Sequence, residues 1–269
     1  MNAFKETIIH KSNDDYGEVL IKEEGMIRTL YFGNDNKQSC VFMPDPSVLI
    51  LQYAQAMTAS LLFNPEPKRI LMVGLGGGSL VQFFMKACPN ARIDVLELRE
   101  SVIRLSHEYF QVPATQKKLN IIETDAKEYI LSQAIKKSQE YDLILIDAFD
   151  AWGPAQLNNE DNFILSCQTL LKLDGVICFN LWNRKQDAFQ HMSSHLSQLF
   201  SENILELRLG KQDSNVIVFG FSNSEKIRSI GHCQRHVFPL KEQFGIDYVR
   251  FFNMLEVQNY STLKRRALS

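Results

Sequence analysis

Ile70-Leu71-Met72-Val73-Gly74-Leu75-Gly76-Gly77-Gly78 is the stretch whose reading decides the fold of this chain. The four apolar residues predict a buried strand, and the glycines predict a tight turn at which backbone can approach a ligand. Nineteen residues after Gly78, a second short strand, Ile93-Asp94-Val95-Leu96, ends on Glu97. Strand, glycine turn, helix, strand and acid, in that order, is how an open parallel sheet builds a nucleoside site. The glycines give access, and the acid at the second tip accepts bonds from two ribose hydroxyls.

Downstream the alternation continues. Helical patterns carrying Leu80, Phe83, Phe84 and Ala87, then Val102, Leu105 and Tyr109, follow the first two strands. Leu119–Ile122, the fully apolar Leu143–Ile146 and Val176–Phe179 predict three more strands, the last after a turn at Asp174-Gly175. Helices over Tyr129–Ile135, Phe163–Leu171 and Phe189–Phe200, and late strands over Ile204–Leu209 and Val216–Phe221, complete the set. Continuous β-branched runs between helices indicate a sheet covered on both faces. The fold class is α/β, with a Rossmann-like, mostly parallel seven-stranded sheet.

Upstream the pattern is different. Thr7–Ile9, Glu18–Ile21, Arg28–Phe32 and Ser39–Phe42 are short strand-like runs separated by turn-forming groups. They predict a small antiparallel β domain, followed by a connecting helix over Val48–Phe63 that Pro65 and Pro67 end. The expected division is residues 1–62 for the small domain with its helix and 63–269 for the nucleoside-binding domain.

With 269 residues, 45% of them apolar, the chain can bury a sizeable core. A net charge of −2 supplies no basic field for nucleic acid, and Lys264-Arg265-Arg266 reads as a solvated tail. No run reaches the roughly 18 apolar residues of a membrane span. Five scattered cysteines favour reduced thiols, so a cytoplasmic location is expected.

Ligands of such sheets sit beyond the carboxyl ends of the strands. Gly74–Gly78, Glu97, Asp125 and Asp147–Asp150 all fall there. Taken alone, Asp125 could be a helix cap and Glu97 a surface acid; together they make an acidic, glycine-lined crevice. No Gly-Lys-Ser/Thr follows the glycines, so nothing favours a phosphate. A cationic nucleoside fits better, as in S-adenosylmethionine or its decarboxylated form.

From about Tyr16 to Phe221 the chain resembles the polyamine synthases, the spermidine synthase-like aminopropyltransferases with the class I AdoMet-dependent methyltransferase fold. The resemblance runs through Pro67–Gly78, Val95-Leu96-Glu97-Leu98, Glu123-Thr124-Asp125-Ala126 and, most specifically, Tyr141–Ala155. There the family pattern Asp-Ser-Ser/Thr-Asp-Pro-x-Gly-Pro keeps both aspartates, Asp147 and Asp150, and its Gly153-Pro154. The resemblance implies that Gly74, Gly76 and Gly78 cradle the nucleoside. Glu97 would hold the ribose, with Asp125 and Ala126 at the adenine. Asp147 would face the attacking amine as the catalytic carboxylate, and Asp150 would lie in a segment closing over the site. Decarboxylated or intact S-adenosylmethionine would be the co-substrate, with no metal, and a small-molecule amine the acceptor.

Three departures from the family pattern are visible. Its Gly-Gly-Gly-Asp-Gly-Gly turn has Gly77 where the aspartate binds the aminopropyl ammonium, which would make room for the carboxylate of intact S-adenosylmethionine. Its Tyr-His/Gln-Glu segment is replaced around Gln52-Tyr53-Ala54-Gln55, with Tyr53 a candidate substrate contact. Its Pro-Thr-Tyr-Pro-Ser-Gly segment is absent, and Gly210–Asn215 stands there. Trp152, as a stacking residue, and Trp182, as a wall of the acceptor pocket, are further candidates.

Three functions stay open on these residues: aminopropyl transfer to a polyamine, methyl transfer to an unidentified acceptor, and nucleoside binding without turnover. His232-Cys233-x-x-His236 lacks a second ligand pair and reads as a surface loop, while His107, Cys167 and Cys178 read as structural. Strand edges and apolar strips on the small domain predict a homodimer.

Overall fold

A computed structural model describes residues 6–33, 36–150, 153–154, 161–183, 186–210, 214–223 and 230–268. Four strands come first, β1 (Thr7–Asp14), β2 (Gly17–Glu24), β3 (Ile27–Phe32) and β4 (Asn36–Phe42), paired antiparallel in chain order. The pairing of β3 with β4 slips between Leu30↔Ser39 and Tyr31↔Lys37, so Gln38 is the extra residue of a β-bulge.

The larger sheet has β5 (Arg69–Val73) near its middle. Next to it on one side are β6 (Arg92–Glu97) and β7 (Leu119–Glu123). On the other side lie β8 (Tyr141–Ile146), β11 (Leu171–Trp182), β13 (Asn215–Phe221) and β12 (Ile204–Arg208). Only β13 runs against its neighbours. Strand order reverses between β5 and β8, which makes that junction the switch point of the sheet. Two short segments, β9 (Phe149–Asp150) and β10 (Gly153–Pro154), pair with each other just beyond β8.

Successive strand residues feed opposite layers, as the period of two requires. Ile70, Met72, Leu143, Leu145, Val176 and Cys178 join one core, which also takes Val19, Ile21, Leu30 and Val41 of the small sheet. Leu71, Val73, Ile144, Ile146, Ile177 and Phe179 join the other. Helices α3 (Ser79–Ala87) and α4 (Glu100–Tyr109) cover the first face; α5 (Ala126–Lys136), α6 (Asp161–Leu170) and α7 (Gln186–Leu199) cover the second.

The connecting helix differs from expectation. Residues 48–51 are not helical, because Leu49 bridges Val41 and continues the small sheet. The remainder forms two pieces, α1 (Gln52–Met57) and α2 (Ser60–Phe63). Buried Thr58 breaks it: its hydroxyl lies 2.6 Å from Gln55 O and 2.8 Å from the Tyr248 hydroxyl. The expected turn at Asp174-Gly175 lies inside β11, as an irregularity between Leu171 and Val176. The His232-Cys233-x-x-His236 stretch is helical, inside α8 (Ile230–Phe244), and not a loop. Cys233 is buried in the core and His236 Nδ1 lies 2.8 Å from Leu62 O. Two further helices complete the chain, α9 (Tyr248–Gln258) and α10 (Tyr260–Leu268).

Candidate functional site

The tips of β5, β6 and β8 are stitched together by main-chain bonds. Gly74 N donates to Leu96 O at 2.8 Å, and Asp147 N donates to Val73 O at 2.9 Å. Gly74 has φ +96°, and a Cβ there would lie 2.3 Å from Asp147 O. Only glycine permits this approach, so the glycine turn and Asp147 are built against each other. Gly78, at φ +73°, is equally constrained, because a Cβ would meet Val112 Cγ2 at 2.2 Å. Val112 is itself tied to His107, whose Nδ1 lies 2.9 Å from Val112 O. His107 is thus structural.

Gly76 (φ +53°) and Gly77 both face Ser39, on β4. A Cβ on Gly77 would lie 3.1 Å from both Ser39 Oγ and Phe110 Cδ1. The missing acid therefore leaves no open volume in that direction: an aromatic ring and a hydroxyl occupy it.

Glu97 is 8% exposed. Its Oε2 accepts from Leu75 N at 2.9 Å and its Oε1 from Arg99 N at 3.0 Å. Burial pushes this carboxyl up, against the pull of those amides and the Arg99 charge. The Leu98 amide bonds to it as well, and of the roughly four lone-pair positions of an ionised carboxylate part remains for a ligand hydroxyl. Thr124 N donates to Glu97 O at 2.9 Å, joining the β6 tip to the next candidate. Asp125 caps α5: its Oδ1 accepts from Lys127 N at 2.7 Å and Glu128 N at 3.2 Å. Ala126 is buried beside it.

Asp147 Oδ1 accepts from Asn180 Nδ2 at 2.8 Å, and Asn180 Oδ1 accepts from Asn215 Nδ2 at 2.8 Å. The Tyr53 hydroxyl stands between two acceptors, Asp147 and, at 3.0 Å, Gln38 O, and its single proton serves one of them at a time. The bulge at Gln38 takes that carbonyl out of the β3–β4 ladder, leaving it to receive the hydroxyl. Asp147 keeps part of its surface toward the crevice, yet the protein packed around it raises its carboxyl to about 6, while Asn180 and Tyr53 pull the other way. Cys178 lies below, with Sγ 3.9 Å from Met57 O; burial first, and Asp147 second, hold that thiol well above its usual range. Cys167 is likewise fully buried.

The structure brings Gly74, Gly76, Gly78, Glu97, Asp125, Ala126, Asp147 and Tyr53 to one end of the sheet. Trp182 ends β11, two residues beyond Asn180, and is half-buried. Trp152 and the side chain of Asp150 lie outside the described residues; the Asp150 backbone pairs with Gly153.

Asn180 and Asn215 escape a sequence reading. A signal is nonetheless present: Asn180 is the one polar residue in Val176–Trp182. It is 1% exposed, and a polar group buried that deeply must be hydrogen-bonded.

Residues 52–208 match the family model of the spermine/spermidine synthase domain. A polyamine aminopropyltransferase of Neisseria meningitidis serogroup A is 31% identical over 252 residues, 93% of this chain and 94% of that protein. A probable spermidine synthase from Corynebacterium glutamicum superposes with TM-score 0.70 at 18% identity, over 80% of this chain and 81% of the other, a likeness of fold. Human methyltransferase-like protein 13, solved with SAH, superposes with TM-score 0.57 at 26% identity, over 64% and 82%. A family match across the sheet and a relative this similar along nearly all its length agree: the chain belongs to the spermine/spermidine synthase family.

Proposed function

We propose that this protein transfers an aminopropyl group from decarboxylated S-adenosylmethionine to a polyamine acceptor. The observation that carries this reading is Asp147, a largely enclosed carboxylate raised to about 6 and packed directly against the glycine turn. A carboxylate placed so remains mostly ionised at neutral pH and is a stronger base than an ordinary aspartate, suited to receive the proton the amine sheds as it attacks.

In this reading Gly74, Gly76 and Gly78 receive the nucleoside, Glu97 accepts from the ribose hydroxyls, and Asp125 and Ala126 border the adenine. Asp125 has one oxygen engaged by the α5 cap, which leaves the other for the adenine amino group. The acceptor nitrogen loses a proton to Asp147 and attacks the propyl carbon beside the sulfonium. The carbon–sulfur bond breaks, its electron pair stays on sulfur, and methylthioadenosine leaves as a neutral thioether. Much of the rate comes from alignment of nitrogen, carbon and sulfur.

Tyr53 has one proton and two acceptors, Gln38 O and Asp147. While Asp147 is ionised the Tyr53 proton favours the carboxylate; once Asp147 is protonated it donates to the Tyr53 oxygen, and Tyr53 turns its own proton to Gln38 O. Asp150, Trp152 and Trp182 belong to the acceptor side of this reading, Asp150 as a second catalytic carboxylate.

Methyl transfer from intact S-adenosylmethionine is the second reading. It draws on the likeness to human methyltransferase-like protein 13. Mass spectrometry of released nucleoside separates the two. Methylthioadenosine appearing only when decarboxylated donor and amine are both present supports the first. S-adenosylhomocysteine from intact donor supports the second, and neither product leaves a nucleoside-binding protein without turnover.

The division into residues 1–62 and 63–269 is also our reading, supported by a four-stranded sheet whose last strand ends at Phe42 and a seven-stranded one that begins at Arg69. So are a homodimer and residence in the cytoplasm. No described helix is long and apolar enough to cross a membrane.

A further inference from the structure

Arg99 stands two residues past Glu97, at the start of α4, and is 7% exposed. Its side chain leaves the large sheet and ends on the small one. Nε donates to Asp14 Oδ2 at 2.9 Å and Nη2 to Asp14 Oδ1 at 2.7 Å, a two-pronged pair. Nη2 also reaches Gly17 O at 3.1 Å, and the guanidinium lies 4.3 Å from the Phe32 ring centre. The Ser101 hydroxyl donates to Asp14 as a third leg. Burial works to raise the Asp14 carboxyl, but Arg99, Ser101 and the Tyr16 amide together hold it below its usual range.

Arg99 also acts through its main chain, since its amide is the donor to Glu97 Oε1. One residue thus grips the β1–β2 hairpin with its guanidinium and the Glu97 carboxylate with its backbone. The other Glu97 oxygen is held by Leu75 N, from the glycine turn. The amides of Leu75, Leu98 and Arg99 hold the carboxylate, and the position of the last depends on where Arg99 is anchored.

We propose that Arg99 and Asp14 form a positioning latch: their ion pair pins the turn at 97–101 against the small sheet and so aims the Glu97 carboxylate at a ribose diol. This rests on the reading of Glu97 as the ribose acceptor. The latch acts on the ligand through Glu97. It makes the small sheet a component of nucleoside recognition.

The test is calorimetry of 5′-methylthioadenosine and its 2′,3′-dideoxy counterpart on the full chain and on Asp14→Asn, Arg99→Lys, Ser101→Ala and Glu97→Gln. The wild type prefers the diol, and Glu97→Gln abolishes that preference. Asp14→Asn and Arg99→Lys reduce affinity for the diol roughly tenfold, the scale of ordinary intersite coupling, and leave the dideoxy compound unchanged. Ser101→Ala, which removes one leg only, shows a smaller loss of the same kind. Equal weakening of both compounds in the latch variants means a tie that only holds the fold, and overturns the proposal. So does an unchanged preference in Asp14→Asn and Ser101→Ala while Glu97→Gln loses it. A Glu97→Gln protein that still prefers the diol overturns the Glu97 reading itself, and the latch with it.

Discussion

A side-chain carbon on Gly74 would fall 2.3 Å from the carbonyl oxygen of Asp147. The contact is with backbone, which cannot swing aside, and the φ of +96° is one that L side chains rarely adopt. Gly74→Ala is expected to cost about 2–6 kcal/mol, combining positive-φ strain with overpacking. Gly77→Ala meets only side-chain atoms, at 3.1 Å, and should lose far less. Thermal or urea unfolding of the two variants checks this, and equal losses would refute the ordering.

Asp147→Asn keeps an oxygen for Asn180 but has no basicity. Turnover should fall by about 10²-fold or more with methylthioadenosine affinity unchanged. In the wild type the rate should climb as pH rises through about 6, where Asp147 ionises. A pH–rate profile that is flat from 5 to 7 would remove Asp147 from the role of base.

The same carboxyl links pH to stability. Its folded value is about 6 against an ordinary 3.8, so between those values the folded chain holds a proton that the unfolded chain has shed. Stability attributable to Asp147 therefore falls as pH rises through this window, by up to about 3 kcal/mol. Asp147→Asn escapes this loss and should melt higher than wild type at pH 8. A lower melting point would show that the ionised carboxylate is better compensated than its surroundings indicate.

Asn180 is expected to tune Asp147. Asn180→Ala removes a donor that favours the ionised form, so the acid limb of the rate profile should move to higher pH. Asn215→Ala acts one bond further away and should move it less. An Asn180→Ala limb at the wild-type pH would make Asn180 a packing residue only.

Glu97→Ala should weaken nucleoside binding more than Asp147→Ala, because in the proposed reading Glu97 is the group that holds the ribose. Calorimetry with methylthioadenosine decides it, and equal affinities would sink the assignment.

Much of this architecture is legible in the sequence because strands with uniform environments leave uniform patterns. Leu143–Ile146 reads as a buried strand because both its faces feed a core. The glycine turn and the acids at the strand tips are legible because each is a local device. The hidden parts depend on distant partners. Nothing near Arg99 in the chain announces Asp14, 85 residues away, and nothing near Asn180 announces Asp147. The three C-terminal helices are missed for a related reason. Pro239 sits inside α8 against its own propensity, held there by packing of Cys233, Val237 and Leu240. Gly77 shows the limit of counting losses: a missing acid suggests vacant space, and Phe110 and Ser39 have already filled it.

The bulge at Gln38 sets a rule about length rather than composition. Its carbonyl serves Tyr53, and the residue beside it, Ser39, abuts the glycine turn, so two neighbouring residues touch opposite halves of the crevice. Substituting the Gln38 side chain leaves that carbonyl in place. Deleting the residue would restore regular pairing and turn one side of β4 over to the other face, withdrawing the supports of Tyr53 and of the glycine turn at once. The small sheet is therefore free to vary in its letters and bound in its spelling length at this one point.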